Sequence, residues 1–156
     1  MDFTREQIIN GFEQALAYTF ENLIFLEIED SEVIEQLPEP DAETIITDIE
    51  ITSPVHVGIS LILSKEFGLH ILNEMAGDEV EDTDGHLIKD ATAEILNTLG
   101  GRFAAEIMPD TEFKLSLPDC RLVSSEKEEL PKGEIRKYVM FDWELFVVLK
   151  LDDDLQ

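Results

Sequence analysis

Positive charge is scarce in this chain. Its 156 residues contain 11 Lys and Arg against 36 Asp and Glu, which gives a formal net charge of −25 at pH 7. Because such a surface repels phosphate backbones and anionic headgroups, the composition excludes nucleic-acid binding through a basic patch and disfavours a membrane surface as partner. Two interpretations of the acidity stay open: a device for solubility, or a surface that steers a charged partner.

Cysteine is almost absent, and long apolar runs are missing. The single cysteine, Cys120, excludes an internal disulfide and is typical of a protein from a reducing compartment. No uninterrupted apolar segment approaches the roughly 18 residues that a membrane span needs. Residues 1–6 lack the basic and apolar regions of an export signal. We therefore expect a cytoplasmic protein without a membrane partner.

Apolar residues, by contrast, are plentiful. They make up 44% of the chain, which is enough to bury a sizeable core at this length. We expect one domain over residues 1–156, with an acidic tail at 152–156 that is solvated and frayed.

Periodic patterns predict three helices and several strands. Helical spacing of apolar residues, with caps at Thr4 and Ser64, predicts helices over residues 5–22, 65–76 and 85–108. Alternation of period two predicts strands over residues 45–51, 55–63, 113–117, 134–141 and 143–151. This order of elements predicts an α/β fold of the α+β kind, in which helices pack on an antiparallel-rich sheet.

The third helix carries the most informative pattern. At about 100° per residue, one set of residues falls on an arc of about 120° that should face the core. These residues are Ile88, Thr92, Ile95, Leu96, Leu99, Phe103 and Ile107. On the opposite side, Asp90, Glu94, Asn97 and Gly101 cluster within about 60°. The sequence therefore predicts an exposed stripe of two acids, an amide and a glycine.

Two features of this stripe are unusual for a helix surface. Asn97 has a poor helix propensity, and the consecutive glycines Gly100 and Gly101 cost about 1 kcal/mol each relative to alanine. That cost is tolerated where another surface approaches closely, and an amide that donates and accepts at once is suited to hold a water molecule. Two interpretations stay open: a face that binds a partner, or a solvated face on which the glycines serve packing.

Other candidate sites are weaker. The acidic loop before the third helix lacks ligands at the first and last positions of a calcium loop, so we expect Asp82 or Asp84 to cap that helix instead. Cys120 is predicted to be a core or edge residue. We expect no metal site in this chain, because its histidines share no metal-ligand spacing; they are His56, His70 and His86.

The spacing Asp90-x-x-x-Glu94-x-x-Asn97 resembles the signature of the CheC/CheX/FliY family of chemotaxis phosphatases. Glu-x-x-Asn occurs once in the chain. This single copy and the short length make the chain most similar to CheX. The resemblance covers nearly the whole chain. It includes the N-terminal helix, the hairpin ending in Ser64-Lys65-Glu66-Phe67, the stretch Asn73-Glu74-Met75-Ala76-Gly77, residues 94–103, and Leu115-Ser116-Leu117-Pro118.

This resemblance implies a function. The substrate would be the aspartyl phosphate of a CheY-like receiver domain, which keeps its own Mg²⁺, so the chain would need no cofactor of its own. Asn97 would orient the attacking water, and Glu94 would pair with a receiver lysine. Asp90, Gly100 and Gly101 would lie at the contact with the partner. Phosphoryl transfer depends on positioning and charge stabilisation, so no cysteine or histidine nucleophile is required.

The resemblance has further implications. It implies a homodimer that continues the sheet across two chains, and exposed edges within 55–63 or 134–151 are compatible with this. Pro118 follows Asn97 by 21 residues, slightly fewer than in the family pattern. This shorter spacing predicts a shortened loop or a different support for the site. Two alternative functions stay open: a receiver-binding or adaptor domain without turnover, and an unrelated acidic structural domain.

Overall fold

The computed structural model describes residues 3–40, 43–82, 85–123 and 129–152, and these form three helices and seven strands. The helices are α1 (Arg5–Leu23), α2 (Lys65–Ala76) and α3 (His86–Ile107). The strands are β1 (Asp30–Ile34), β2 (Thr44–Ser53), β3 (Val57–Ser64), β4 (Lys114–Leu115), β5 (Asp119–Val123), β6 (Glu134–Met140) and β7 (Trp143–Leu151).

Local side-chain chemistry sets the ends of α1 and α2. The Thr4 hydroxyl accepts a hydrogen bond from the Gln7 amide at 3.1 Å, and the Gln7 side chain accepts one from the Thr4 amide at 3.0 Å. Ser64 caps α2 by accepting from the Phe67 amide at 3.0 Å. Gly77, in the left-handed region at φ 73°, ends α2. Both predicted helix starts are confirmed. The caps stabilise them because they pair amides that have no partner within the helix.

One antiparallel sheet runs through the molecule. Its strand order is β1-β6-β7-β3-β2-β4, and β5 pairs with β2 on the same side as β4. Every strand pairing is antiparallel. The predicted α+β fold, helices packed on an antiparallel sheet, is confirmed.

Alternation along the strands divides the apolar residues between the two faces of the sheet. In β2, Ile45, Ile49 and Ile51 join the large core that the three helices share with the sheet. Ile46, between them, points to the other face and packs in a smaller cluster around Val148. The helix-covered face therefore holds most of the core and fixes the orientation of α3.

The edges of the sheet differ from the prediction. The segments proposed as exposed edges are interior, because β3 lies between β7 and β2, and β6 lies between β1 and β7. The open edges belong instead to β1 on one side and to β4 and β5 on the other. β1 escaped prediction because four of its five residues are exposed, so it shows no buried alternation. The tail predicted to be frayed lies outside the described residues from position 153 onward.

Candidate functional site

The start of α3 is stabilised by an acidic side chain from the preceding loop. Gly85 occupies the N-cap position at φ 78° and offers no side chain to the free amides. The Asp82 carboxylate takes that role and accepts a hydrogen bond from the Ile88 amide at 2.7 Å. The prediction that Asp82 or Asp84 caps this helix is thus confirmed for Asp82, while Asp84 lies outside the described residues.

The inner face of α3 packs against the core, and its buried hydroxyl group is hydrogen-bonded. The residues predicted to face inward are buried, apart from Ile107, which is partly buried. Phe103 meets Phe12 of α1 edge to face, with ring centroids 5.9 Å apart. The buried Thr92 hydroxyl donates to the Ile88 carbonyl at 3.0 Å. This face fixes the rotation of the helix, and therefore the direction of the residues opposite.

The outer face of α3 carries the predicted polar stripe. Asp90, Glu94 and Asn97 are all exposed. Asp90 lies 3.5 Å from His86, one turn earlier. Within the described part of the chain, neither the Glu94 nor the Asn97 side chain has a hydrogen-bond or ion-pair partner. A carboxylate and an amide, one helical turn apart on a rigid support, are therefore available to another molecule.

The two glycines of α3 face different ways. A Cβ on Gly100 would lie 3.1 Å from Leu115 and 3.5 Å from Ile49, so this buried glycine lets the helix approach the sheet closely. Gly100 lies on the packed side of the helix, between Leu96 and Ala104, and its burial argues against the predicted contact with a partner. Gly101 is half-buried, but no atom lies within 4 Å of its Cβ position, so this position of the predicted stripe faces open space.

Arg102 contacts both a ring on α1 and an acid on its own helix. The guanidinium of Arg102 lies 3.9 Å from the ring centroid of Tyr18 on α1 and 3.1 Å from the Glu106 carboxylate. The cation thus bridges the two helices beside the stripe.

A short segment that connects β4 to β5 runs along the other flank of α3. We call residues 115–120 the β4–β5 segment. At one end, Leu115 packs against Gly100; at the other, Cys120 Sγ lies 3.2 Å from Thr92 Oγ1. Leu117, between these anchors, is 90% exposed. The exposure of Leu117 was not predicted, because this residue continues the alternation of Leu115. The following Pro118, which cannot donate to a ladder, is the signal that the strand ends.

The remaining candidate residues contact other residues of the chain. Burial raises the pKa of the Cys120 thiol above its ordinary value, and the residue lies half-buried on an outer strand, as predicted. His56 lies near Glu50, and His70 packs on the Trp143 ring. In the described ranges, no group of three or more His, Cys, Asp or Glu side chains is placed to hold a metal ion. Nor does any described helix have the length and apolar character for a membrane span.

Solved structures with this fold include CheX and FliY proteins. A CheX from Desulfovibrio desulfuricans has a TM-score of 0.73 at 17% identity, with 94% of this chain and 99% of that chain covered. A chain of the CheX–CheY–BeF3–Mg²⁺ complex from Borrelia burgdorferi has a TM-score of 0.72 at 14% identity, with coverage of 92% and 97%. FliY from Thermotoga maritima has a TM-score of 0.64 at 15% identity, with coverage of 99% and 94%. The fold is therefore the one shared by the CheC/CheX/FliY class.

A match at the level of sequence defines the membership more narrowly. The profile of the family described as chemotaxis phosphatase CheX matches residues 45–141, which include all of α3 and both Glu94 and Asn97. The chain belongs to the CheX family. Among curated protein sequences, none matches the chain.

Proposed function

We propose that this chain accelerates hydrolysis of the aspartyl phosphate on a CheY-like receiver domain. The observation that carries the proposal is the pair Glu94 and Asn97: both are exposed and without a partner within the described chain, on a helix that lies inside the region matched by the CheX family. A relative of the same fold forms a complex with CheY, BeF3 and Mg²⁺, which supports a receiver as the partner.

Asn97 is proposed to orient the attacking water. Its amide can accept a hydrogen bond from the water and donate one at the same time. Held in line with phosphorus, the water attacks the phosphoryl group, the bond from phosphorus to the receiver aspartate breaks, and the aspartate leaves as a carboxylate. Orientation of one water lowers the activation free energy by a few kcal/mol, and about 1.4 kcal/mol corresponds to a factor of ten in rate.

Glu94 is proposed to pair with a lysine of the receiver. Its carboxylate projects one turn before Asn97, so an ion pair there would fix the amide above the phosphoryl group. Asp90 and Gly101 extend the same stripe by one turn in each direction. We propose that they form the contact around the reacting groups, with Asp90 as a second acid and Gly101 as the point of closest approach.

Magnesium in this reaction is proposed to belong to the receiver. The outer face of α3 offers only two carboxylates, Asp90 and Glu94, about one turn apart, and one of them already lies beside His86. The chain would contribute a water-orienting amide and an acid, and no cofactor of its own.

Membership of the CheX family also leads us to propose a homodimer and a cytoplasmic location. A sheet that continues across two chains would use an open edge. The edge strand β1 pairs with β6 over all five of its residues, and no described strand pairs with its other side. Light scattering would test this: a mass of twice 17.7 kDa is expected, and a single-chain mass at assay concentration would contradict it.

Phosphate release from a receiver tests the proposed activity. A Mg²⁺-loaded CheY receiver is phosphorylated with a small phosphodonor, and free phosphate is followed with and without this protein. We expect faster release with the protein at substoichiometric amounts. Binding to the receiver without any acceleration would support the adaptor function instead, and neither binding nor acceleration would contradict both.

A further inference from the structure

We propose that Leu117 is an apolar docking contact for the receiver domain, beside the water-orienting residue. This inference rests on the proposed function and assigns to the β4–β5 segment a role in binding the partner. The segment lies outside the polar stripe of α3, and the catalytic proposal makes no use of it.

The exposure of Leu117 is exceptional within the described chain. At 90%, it exceeds that of the other exposed large apolar side chains, of which Phe25 is next at 74%. An isolated exposed leucine is common on protein surfaces, so exposure alone carries no argument. The position and the support of Leu117 carry it.

Two anchors place Leu117 beside Asn97. The β4–β5 segment contacts α3 at Gly100 through Leu115 and at Thr92 through Cys120. Those two helix positions are roughly 12 Å apart along the axis, and five extended residues reach about 16 Å. The segment must therefore run alongside the helix with little slack, antiparallel to it. Interpolation between the anchors brings Leu117 level with the turn that carries Asn97.

The segment also lies on the Asn97 side of the stripe. Around the helix, Gly100 is about 60° from Asn97 and about 120° from Glu94. A molecule that settles on the stripe deeply enough to meet the Asn97 amide would therefore extend over this flank. Leu117 would supply the apolar burial that an amide and a carboxylate cannot supply.

The backbone around Leu117 is held firmly. The amide of Ser116 donates to the Glu50 carbonyl at 2.8 Å, and the Ser116 hydroxyl accepts from the Glu50 amide at 2.9 Å. On the other side, Pro118 has a fixed φ and leads into β5. Leu117 is thus presented on a pinned backbone, which lowers the entropy cost of docking.

A second copy of this chain is a poorer occupant of this surface. Edge-to-edge pairing needs a continuous row of free backbone groups. Here the edge is interrupted, because β4 is two residues long, the register with β2 shifts between Ile51 and Ser53, and Pro118 lacks an N–H. The partner that fits is the one that also covers Asn97, which is the receiver.

The test compares Leu117→Ser with Phe141→Asn. Phe141 is also an exposed apolar residue, at 66%, but it lies in the β6–β7 turn, and its φ of 58° suits asparagine. Two quantities are measured: the Kd for a CheY receiver loaded with BeF3⁻ and Mg²⁺, and the kcat and KM for the phosphorylated receiver. We expect Leu117→Ser to raise Kd and KM about tenfold with kcat within twofold, and the control to change neither.

Each outcome has one meaning. An unchanged Kd and KM for Leu117→Ser, with active unaltered protein, would overturn this inference and leave the proposed function intact. A change in oligomeric mass for Leu117→Ser, measured by light scattering, would assign the residue to a second copy and also overturn it. Unaltered protein that neither binds nor acts on the receiver would contradict the proposed function itself, and the inference with it.

Discussion

The inner and outer faces of α3 treat their side chains in opposite ways. On the inner face, Phe103 packs against Phe12 at 5.9 Å, and the buried Thr92 hydroxyl finds a backbone carbonyl at 3.0 Å. On the outer face, Glu94 and Asn97 have no partner among the described residues. The same helix therefore has one side whose polar group is paired within the chain and another side where Glu94 and Asn97 are exposed and unpaired among the described residues.

This contrast separates residues that stabilise the fold from residues for which we propose a role in the reaction. Phe103 is fully buried and contributes through removal of apolar area from water. Asn97 contributes nothing of that kind, and its helix propensity is poor, so the fold has no use for an amide there. The inner face should therefore be sensitive in stability and the outer face in activity.

Truncation of the inner face is expected to have the largest effect. Phe103→Ala would leave a cavity between α1 and α3 and lower the free energy of unfolding by about 3–5 kcal/mol. Urea unfolding followed by circular dichroism measures this. Asn97→Ala in the same assay should stay within about 0.5 kcal/mol of the unaltered protein; an equal loss in both variants would erase the contrast.

Loss of the outer carboxylate is expected to reduce activity while the fold stays intact. Glu94→Gln keeps the shape and removes the charge that would pair with the receiver lysine, so kcat/KM should fall about 10- to 100-fold. Glu21→Gln, an exposed change on α1, is the matched control and should have no effect. Equal values for both variants would contradict the ion pair.

The cap of α3 should matter for stability alone. Asp82→Ala removes the carboxylate that accepts from the Ile88 amide at 2.7 Å, and a loss of about 1 kcal/mol in the free energy of unfolding is expected. Thermal unfolding and phosphate release on the same sample measure the two properties. A fall in kcat for the folded variant would mean that Asp82 takes part in the site.

The two glycines give the finest comparison. Gly101→Ala fills open space in a helix, so it should stabilise the fold by about 0.5–1 kcal/mol and yet raise KM for the receiver, because the partner is proposed to approach closely there. Gly100→Ala, whose Cβ would lie 3.1 Å from Leu115, acts on KM only through that anchor of the β4–β5 segment and should raise KM less than Gly101→Ala does. The reverse pattern in KM would exchange the roles of the two glycines.

Features that depend on residues close together in the chain could be predicted from the sequence. The capping box at Thr4, the end of α2 at Gly77 and the inner arc of α3 depend on residues close together in the chain, so periodicity and cap chemistry were sufficient. The stripe of Glu94 and Asn97 followed from the same periodicity.

Other features depend on contacts between distant segments. Gly100 faces the sheet because Leu115, from another element, packs against it, and no helical pattern shows this. β1 forms because β6 supplies its hydrogen bonds, although its own side chains are exposed. The exposed Leu117 likewise depends on the two anchors of its segment on α3. For that reason, none of these three features could be predicted from the sequence.

The most direct test of the account separates binding from turnover in Asn97→Ala, with Asn10→Ala, an exposed change on α1, as control. Measured on a Mg²⁺-loaded receiver, Asn97→Ala should bind the BeF3⁻ form with a Kd within about threefold of the unaltered protein, while phosphate release from the phosphorylated form falls by about 10²–10³ in kcat. An unchanged kcat in this variant would contradict the claim that the Asn97 amide orients the attacking water.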